Sequence, residues 1–264
     1  MFGGTSRLFL LFILFANLGF SQQVRVVPEP VSLIEKGGYY QLSDVMRLVL
    51  ESNDENVVRT VNFFKKELQK KYNIIFSGQA ALPGITIRID PAQKKEGYSL
   101  NITPKEINIA AADAAGAFYA IQTIRQLLPA SFYGTGKHAA SSVKIPCVSI
   151  TDYPRYAYRG MQLDVSRHFF PAAYIKKFID ILAAYKVNTF HWHLTDSHGW
   201  RLEIKQYPRL TAVGAWRADR RGVPMTIAPP TQPGERADYG GFYTQEEVKQ
   251  IIQYAKERFI TIIP

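Results

Sequence analysis

The stretches YRGMQLDVSRHFF (residues 158–170) and NTFHWHLTD (residues 188–196) decide the fold. Each begins as a short strand and ends in polar and ionisable side chains. The segment 171–186 between them opens with proline and carries apolar residues at helical spacing. A second helix over residues 244–258, which starts with a capping box, precedes a third strand at 259–263. The order strand, helix, strand, helix, strand predicts parallel βαβ units.

Ionisable side chains follow the first two strands of this unit. Asp164 and Arg167 come at the end of the first strand, and His193 and Asp196 come at the end of the second. Loops at the carboxyl ends of parallel strands carry the chemistry in folds of this kind, so we expect these side chains to share a site. By position alone, Arg167 fits two roles equally well: a fork that holds two hydroxyls or a carboxylate, or half of a surface salt bridge.

His191 and His193 lie two residues apart, so a strand places both on the same face. Three interpretations are open for this pair: a zinc or nickel site, a polar interior that holds a sugar together with Asp196, or two core histidines. A metal ion needs further ligands, and the sequence has no histidine after His198. We therefore expect no metal and no other cofactor.

The order of helix and strand patterns in the preceding part of the chain predicts a small α/β unit. Helical spacing over residues 56–71, a strand at 85–89, a hairpin over 98–109 and a helix over 114–128 follow one another. No residue in this unit has an obvious chemical task.

The motifs of the second unit resemble the β-N-acetylhexosaminidases, glycoside hydrolase family 20. The likeness covers about residues 153–264 and includes both opening stretches. It continues, in the same order, through GWRLEI (199–204), YPRL (207–210), GAW (214–216) and GFYT (241–244). The first unit resembles, more loosely, the zincin-like α/β domain that precedes the barrel in this family. It has no His-Glu-x-x-His sequence, so no zinc is implied.

The resemblance implies an α/β fold of two domains, and the amino-terminal residues predict a signal peptide before them. We expect a signal peptide over residues 1–21 and a small α+β (zincin-like) domain over residues 22–150. The start of a catalytic (β/α)8 TIM barrel, incomplete and limited to its first three strands, is expected over residues 151–264. A complete barrel of this type needs eight strands and about 250 residues.

The resemblance also implies an activity. The family releases terminal N-acetylglucosamine or N-acetylgalactosamine from glycans with retention of configuration, because the acetamido oxygen of the substrate attacks the anomeric carbon. An Asp orients that acetamido group and an adjacent Glu protonates the leaving oxygen. Arg167 matches the family arginine that grips ring hydroxyls, and Asp196 matches the aspartate of the network that supports the acid. Asp164 and His193 lie in the matching motifs and are expected to support substrate binding.

The sequence departs from the family pattern in two places. Asp196-Ser197-His198 stands where the family usually has Asp-Asp-Gln. The catalytic Asp-Glu pair and the tryptophans of the sugar pocket, which the family carries on later strands, are not among these 264 residues. We therefore expect a fragment that is inactive alone. The alternatives are a metal-dependent hydrolase that uses His191 and His193, and a non-catalytic carbohydrate-binding remnant.

Charge and targeting signals suggest a compartment and a class of partner. The net charge is +10, but the basic residues are scattered and no nucleic-acid motif occurs, so we expect a glycan or chito-oligosaccharide substrate and no nucleic acid. The apolar run after Arg7 is too short for a membrane anchor and is interrupted by Asn17. A cleaved signal peptide, and therefore a secreted or periplasmic protein, is the expectation. The single cysteine, Cys147, is expected to be a buried small apolar residue. The sequence does not indicate an oligomeric state.

Overall fold

The computed structural model describes residues 24–224 and 227–264, so the predicted signal peptide lies outside the described residues. The first half of the chain forms a seven-stranded sheet. Its strands are β1 (Ser32–Gln41), β2 (Val45–Glu51), β3 (Ile75–Phe76), β4 (Gly84–Ile89), β5 (Tyr98–Ile102), β6 (Glu106–Ala111) and β7 (Lys144–Asp152). They lie in the order β1-β7-β5-β6-β4-β2-β3, with parallel pairing among β6, β4, β2 and β3 and antiparallel pairing elsewhere.

Two long helices accompany this sheet, α1 (Glu55–Tyr72) and α2 (Ala114–Leu127). The Asp54 side chain accepts hydrogen bonds from the first turn of α1, and Asn73 ends the helix in the left-handed conformation at φ 57°. Asp113 caps α2 in the same way as Asp54 caps α1. The buried face of α1 contains the apolar side chains whose spacing predicted the helix: Val57, Val61, Phe64 and Leu68.

The second half contains a three-stranded parallel sheet with helical crossovers. Its elements are β8 (Gly160–Asp164), α3 (Ala172–Ala184), β9 (Thr189–His193), β10 (Thr195–Asp196), β11 (Gly199–Trp200), α4 (Arg209–Ala212), β12 (Trp216–Arg217), β13 (Tyr239–Gly240), α5 (Gln245–Lys256) and β14 (Thr261–Ile263). The sheet order is β14-β9-β8, and both pairings are parallel. The short pairs β10-β11 and β12-β13 lie in the long connection between β9 and α5.

The two faces of the parallel sheet differ in chemistry. On the helix side, Phe190 and Trp192 of β9 are fully buried, and the Phe190 ring lies 5.4 Å from the Phe178 ring of α3. On the opposite side, His191 and His193 point the other way and remain partly exposed. This is the alternation expected for a strand, and it leaves one polar face that can line a site.

Buried polar contacts join the two halves of the chain. Lys186, which follows α3, places Nζ 2.7 Å from the Asp152 carboxylate and 2.9 Å from the Tyr98 hydroxyl. Arg159 reaches back to the Glu96 carboxylate at 2.8 Å. The parallel sheet is therefore anchored to the first sheet at its amino-terminal edge, opposite the strand ends that carry the ionisable side chains.

The structure confirms the α/β class and the predicted long helices, and it adjusts several boundaries. The first parallel strand begins at Gly160 rather than at Tyr158, and the connection over residues 195–243 contains short strands and a helical turn. In the first sheet, strands β1, β2, β3 and β7 were not predicted. Cys147 is buried, as expected. Over residues 24–224 and 227–264, no helix combines the length and the apolar character that crossing a membrane requires.

Candidate active site

Asp164, the last residue of β8, organises the loop that follows it. Its Oδ1 atom accepts hydrogen bonds from the backbone N–H groups of Ser166 and Arg167, both at 3.0 Å. Its Oδ2 atom lies 2.8 Å from Nη1 of Arg167. The Asp164 carboxylate therefore fixes both the backbone turn after β8 and the Nη1 end of the Arg167 guanidinium.

Asp196, in the short strand β10 that follows β9, brings a second carboxylate to the same guanidinium. Its Oδ2 atom lies 2.7 Å from Nη1 of Arg167. The parallel register pairs Asp164 with His193, which explains why the two strand ends bring their polar residues together. The side chains of Arg167 and Asp196 are each about one-third exposed, so a ligand can reach this pair.

His193 completes the cluster. Its Nε2 atom lies 3.2 Å from Oδ2 of Asp196, and its Nδ1 atom lies 3.1 Å from the side-chain nitrogen of Gln162 on β8. All four residues predicted from the sequence, Asp164, Arg167, His193 and Asp196, are thus in one hydrogen-bonded group. Gln162 belongs to the same group and was not singled out in the sequence.

The environment of Asp196 keeps it ionised. A hydrogen bond from the backbone N–H of Ser197, together with the nearby Arg167 guanidinium, lowers the pKa of the Asp196 carboxyl group. A general acid needs a pKa near the working pH, and a lowered pKa is the opposite property. Asp196 is therefore suited to hold a cation or to accept hydrogen bonds, and it is not suited to donate a proton at neutral pH.

The donor set does not favour a metal ion at the histidine pair. The rings of His191 and His193 are nearly parallel, with centroids 5.9 Å apart. Both ring nitrogens of His193 already have protein partners, Gln162 on one side and Asp196 on the other. In the described part of the chain, no group of three or more metal-binding side chains comes together.

Two arginines that were not predicted as site residues lie directly beneath the cluster. Arg201 is fully buried and donates hydrogen bonds to the carbonyl oxygens of Val165 and Ser166. Arg217 donates a hydrogen bond to the carbonyl oxygen of Arg167 at 2.7 Å. Position within GWRLEI was the only sequence signal for Arg201.

His168, which follows Arg167 in the sequence, lies outside the hydrogen-bonded cluster and places Nδ1 2.8 Å from the Tyr239 hydroxyl.

Both halves of the chain match models of one protein family. Residues 156–264 match the model "Glycosyl hydrolase family 20, catalytic domain", and residues 23–153 match "Glycosyl hydrolase family 20, domain 2". A beta-hexosaminidase from Porphyromonas gingivalis is 36% identical over 249 residues, which cover 93% of this chain and 30% of that protein. A beta-hexosaminidase from Vibrio furnissii is 36% identical over 239 residues, 90% of this chain and 36% of that protein.

Solved structures show the same similarity. A GH20 exo beta-N-acetylglucosaminidase from Vibrio harveyi, in complex with N-acetylglucosamine, superposes with a TM-score of 0.74 at 34% identity. The match covers 90% of this chain and 35% of that one. A mutant Streptomyces plicatus beta-hexosaminidase in complex with the product GlcNAc gives a TM-score of 0.75 at 31% identity, covering 90% and 45%.

The two family models and the similar proteins place the chain among the glycoside hydrolases. It belongs to glycoside hydrolase family 20. The chain spans about a third of the length of the curated relatives described above, 30% and 36% respectively.

Proposed function

We propose that the whole protein is a β-N-acetylhexosaminidase that releases terminal N-acetylglucosamine or N-acetylgalactosamine from glycans or chito-oligosaccharides. The relatives called beta-hexosaminidase support this proposal, as does an N,N'-diacetylchitobiase from Vibrio harveyi that is 37% identical over 188 residues. That match covers 68% of this chain and 20% of the chitobiase.

The observation that carries the proposal is the Arg167 guanidinium held between two carboxylates. Nη1 of Arg167 is bound by Asp164 and Asp196, whereas Nε and Nη2 have no protein partner among the described residues. A planar guanidinium fixed on one side presents its remaining N–H groups in a defined direction. We propose that these N–H groups bind adjacent ring hydroxyls of the terminal sugar, and that Asp164 and His193 support that contact.

The proposed reaction retains the anomeric configuration. The acetamido oxygen of the substrate attacks the anomeric carbon, the glycosidic C–O bond breaks, and a carboxylic acid transfers its proton to the leaving oxygen. Water then opens the cyclic intermediate and restores the acetamido group. We propose that Asp196 supports the acid through a hydrogen-bonded network, since its own lowered pKa makes it a poor proton donor.

The proton donor itself is proposed to lie outside the residues of this cluster. The single Asp-Glu dipeptide of the sequence, Asp54-Glu55, begins α1 in the first half of the chain, and Asp54 serves there as a helix cap. Asp164 and Asp196 are both engaged with Arg167. We therefore propose that these 264 residues are inactive by themselves.

We also propose the finer architecture that the resemblance implies. Strands β8, β9 and β14 would be the first three strands of a (β/α)8 barrel, within a domain over residues 151–264. The polar face that carries Gln162, His191 and His193 would then line the barrel interior. The seven-stranded sheet would be the zincin-like domain over residues 22–150. We propose a secreted or periplasmic location, and the sequence pattern that predicts a signal peptide over residues 1–21 supports this proposal.

The test is an assay of the full-length gene product on p-nitrophenyl β-N-acetylglucosaminide and its galactosaminide epimer. We expect hydrolysis, with the β-anomer of the free sugar formed first in proton NMR spectra. Initial formation of the α-anomer would contradict the substrate-assisted route. Binding of chito-oligosaccharides without hydrolysis would instead support the non-catalytic remnant. Loss of activity in EDTA, restored by zinc, would support the metal-dependent hydrolase.

A further inference from the structure

Arg201 is a buried cation whose side chain, in the described part of the chain, donates to backbone carbonyl groups alone. Nε lies 2.9 Å from the carbonyl oxygen of Val165, and Nη2 lies 2.7 Å from that of Ser166. Nη1 contacts the carbonyl oxygens of Ala215 at 2.5 Å and Gly241 at 3.1 Å. Within residues 24–224 and 227–264, no carboxylate forms an ion pair with this guanidinium.

Arg217 binds the backbone carbonyl group of the next residue along the chain, Arg167. Its Nη2 atom donates to the carbonyl oxygen of Arg167 at 2.7 Å, and its guanidinium carbon lies 5.2 Å from the centre of the Tyr239 ring. The carbonyl groups of three consecutive residues, Val165, Ser166 and Arg167, are therefore each bound by a guanidinium group. Such charge-assisted hydrogen bonds are stronger than those between neutral groups.

The other side of the same peptide segment is also fixed. The backbone N–H groups of Ser166 and Arg167 both donate to Asp164, and the Ser166 hydroxyl donates to the carbonyl oxygen of Gly199 at 2.9 Å. Donors and acceptors of the loop are thus satisfied by neighbouring groups in fixed geometry. The Cα position of Arg167, from which its guanidinium extends, has little freedom to move.

The chain around Arg201 is shaped to admit its guanidinium. A Cβ atom on Gly199 would lie 2.3 Å from the guanidinium carbon of Arg201, which is closer than any real contact. A Cβ atom on Gly240 would lie 1.9 Å from the carbonyl oxygen of Ala215, one of the acceptors. Glycine at position 199 therefore lets the backbone approach the guanidinium, and glycine at position 240 lets it approach the Ala215 carbonyl that the guanidinium binds.

An unpaired buried charge is costly, and an apolar side chain of similar size would avoid that cost. Burial lowers the pKa of the Arg201 guanidinium, and the neighbouring charge of Arg217 lowers it further. The partial negative charges of the carbonyl oxygens compensate for the missing carboxylate. Because two of those carbonyls belong to Val165 and Ser166, directly before Arg167, the gain is geometric precision in that loop.

We propose that Arg201, assisted by Arg217, is a positioning residue that sets the backbone from which Arg167 reaches the terminal sugar. The inference rests on the proposed function, since it assigns a purpose to Arg167 as a sugar-binding group. A binding group displaced by about 1 Å loses much of its effect. Arg201 therefore acts on substrate through Arg167 and touches no substrate itself.

The test is a double-mutant cycle in the full-length gene product, with p-nitrophenyl β-N-acetylglucosaminide as substrate. Arg201→Lys keeps the charge but cannot reach all four carbonyls, because an ammonium is a compact group without the planar fork. We expect this variant to raise KM about tenfold and to lower kcat less than about threefold. In the Arg167→Ala background, the same change should alter kcat/KM less than about twofold, because the group that it positions is already gone.

An equal fold-change in kcat/KM from Arg201→Lys in the wild-type and Arg167→Ala proteins would overturn the proposal, because a general effect on folding does not depend on Arg167. Unchanged kinetics of a folded Arg201→Lys variant would also overturn it. Arg220→Lys is the matched control: this arginine lies in the same connection and pairs with Glu235. We expect that control to retain wild-type kcat and KM.

A second measurement separates this inference from the proposed function. Amide hydrogen exchange of the segment 164–168 is expected to accelerate at least about tenfold in Arg201→Lys and to stay unchanged in Arg220→Lys. Unaltered exchange in the segment would contradict the positioning role, whatever the activity. Absence of hydrolysis by the unmutated protein would instead contradict the proposed function. If Arg201→Lys fails to fold, Arg217→Lys is measured in the same way, with the same expected directions and the same contradicting results. This variant alters the bond to the Arg167 carbonyl and the contact with the Tyr239 ring, and it leaves the four bonds of Arg201 in place.

Discussion

Nη1 of Arg167 lies 2.7 Å from Oδ2 of Asp196, although the two residues follow different strands of the parallel sheet. The same nitrogen lies 2.8 Å from Oδ2 of Asp164. Two carboxylates on one nitrogen leave the rest of the guanidinium directed away from them. This arrangement can neutralise the charge of the arginine and still present N–H donors to a polyhydroxylated ligand.

Removal of the Arg167 side chain should therefore damage the proposed activity severely. In Arg167→Ala, we expect kcat/KM on p-nitrophenyl β-N-acetylglucosaminide to fall at least about a hundredfold, because charge-assisted bonds to the sugar are lost. Arg236→Ala is the control, since the Arg236 side chain is 87% exposed and, among the residues that the structure describes, forms its one ion pair with Asp238. Near-normal kinetics of Arg167→Ala would remove Arg167 from the site.

Substitution of Asp196 should have an effect on stability that depends on pH. The pKa of the Asp196 carboxyl group is lower in the folded protein than in the unfolded chain, where it is about 3.9. The ionised carboxylate therefore stabilises the fold fully above that unfolded value, and this stabilisation is lost as the pH falls through the folded value. We expect Asp196→Asn to lower Tm by a constant amount between about pH 5 and pH 8. Below about pH 4, the difference from wild type should shrink.

Thermal unfolding followed by circular dichroism across this pH range measures the difference. Asp238→Asn, which affects an exposed ion pair, should leave Tm nearly unchanged, because exposed pairs contribute little. A Tm difference for Asp196→Asn that grows on acidification would show that the carboxylate is not stabilised by its neighbours.

The part of the fold that the sequence could predict is the part with local signals. Helical spacing marked α1, and the capping box at Thr244 marked the start of α5. Strand β1 lacked such a signal, because most of its side chains are exposed. In addition, Gly37 and Gly38 adopt positive φ values and interrupt the hydrogen-bonded pairing of β1 with β7. Its position depends on pairing with β7, more than a hundred residues later, which local sequence cannot report.

The candidate site shows the same division. Convergence of Arg167 and Asp196 followed from parallel strands, whose carboxyl ends meet at one edge of the sheet. The role of Arg201 did not follow, because its carbonyl acceptors come from three separate segments, represented by Val165, Ala215 and Gly241. Backbone carbonyls carry no sequence identity, so a side chain that binds them leaves no recognisable pair in the sequence.

The capping box of α5 provides a local test of stability. The Thr244 hydroxyl accepts from the Glu247 N–H at 3.1 Å, and the Glu247 carboxylate accepts from the Thr244 N–H at 2.9 Å. We expect Thr244→Ala to lower the free energy of unfolding by about 1 kcal/mol in urea titrations. Thr244→Ser keeps the hydroxyl and should recover most of the loss. Equal losses in the two variants would show that the methyl group, rather than the cap, is responsible.

The junction between the two halves of the chain should be sensitive to loss of either charge. Lys186 and Asp152 are 8% and 13% exposed, and the carboxylate shares the ammonium with the Tyr98 hydroxyl. Lys186→Met leaves a buried carboxylate without its cation, which should cost about 3–5 kcal/mol in free energy of unfolding. The double variant Lys186→Met with Asp152→Leu removes both charges and should cost less than the sum of the single changes. Lys177→Met, an exposed lysine on α3, is the control and should stay within about 0.5 kcal/mol of wild type. Additive losses in the double variant would mean that the two charges do not stabilise one another across the junction.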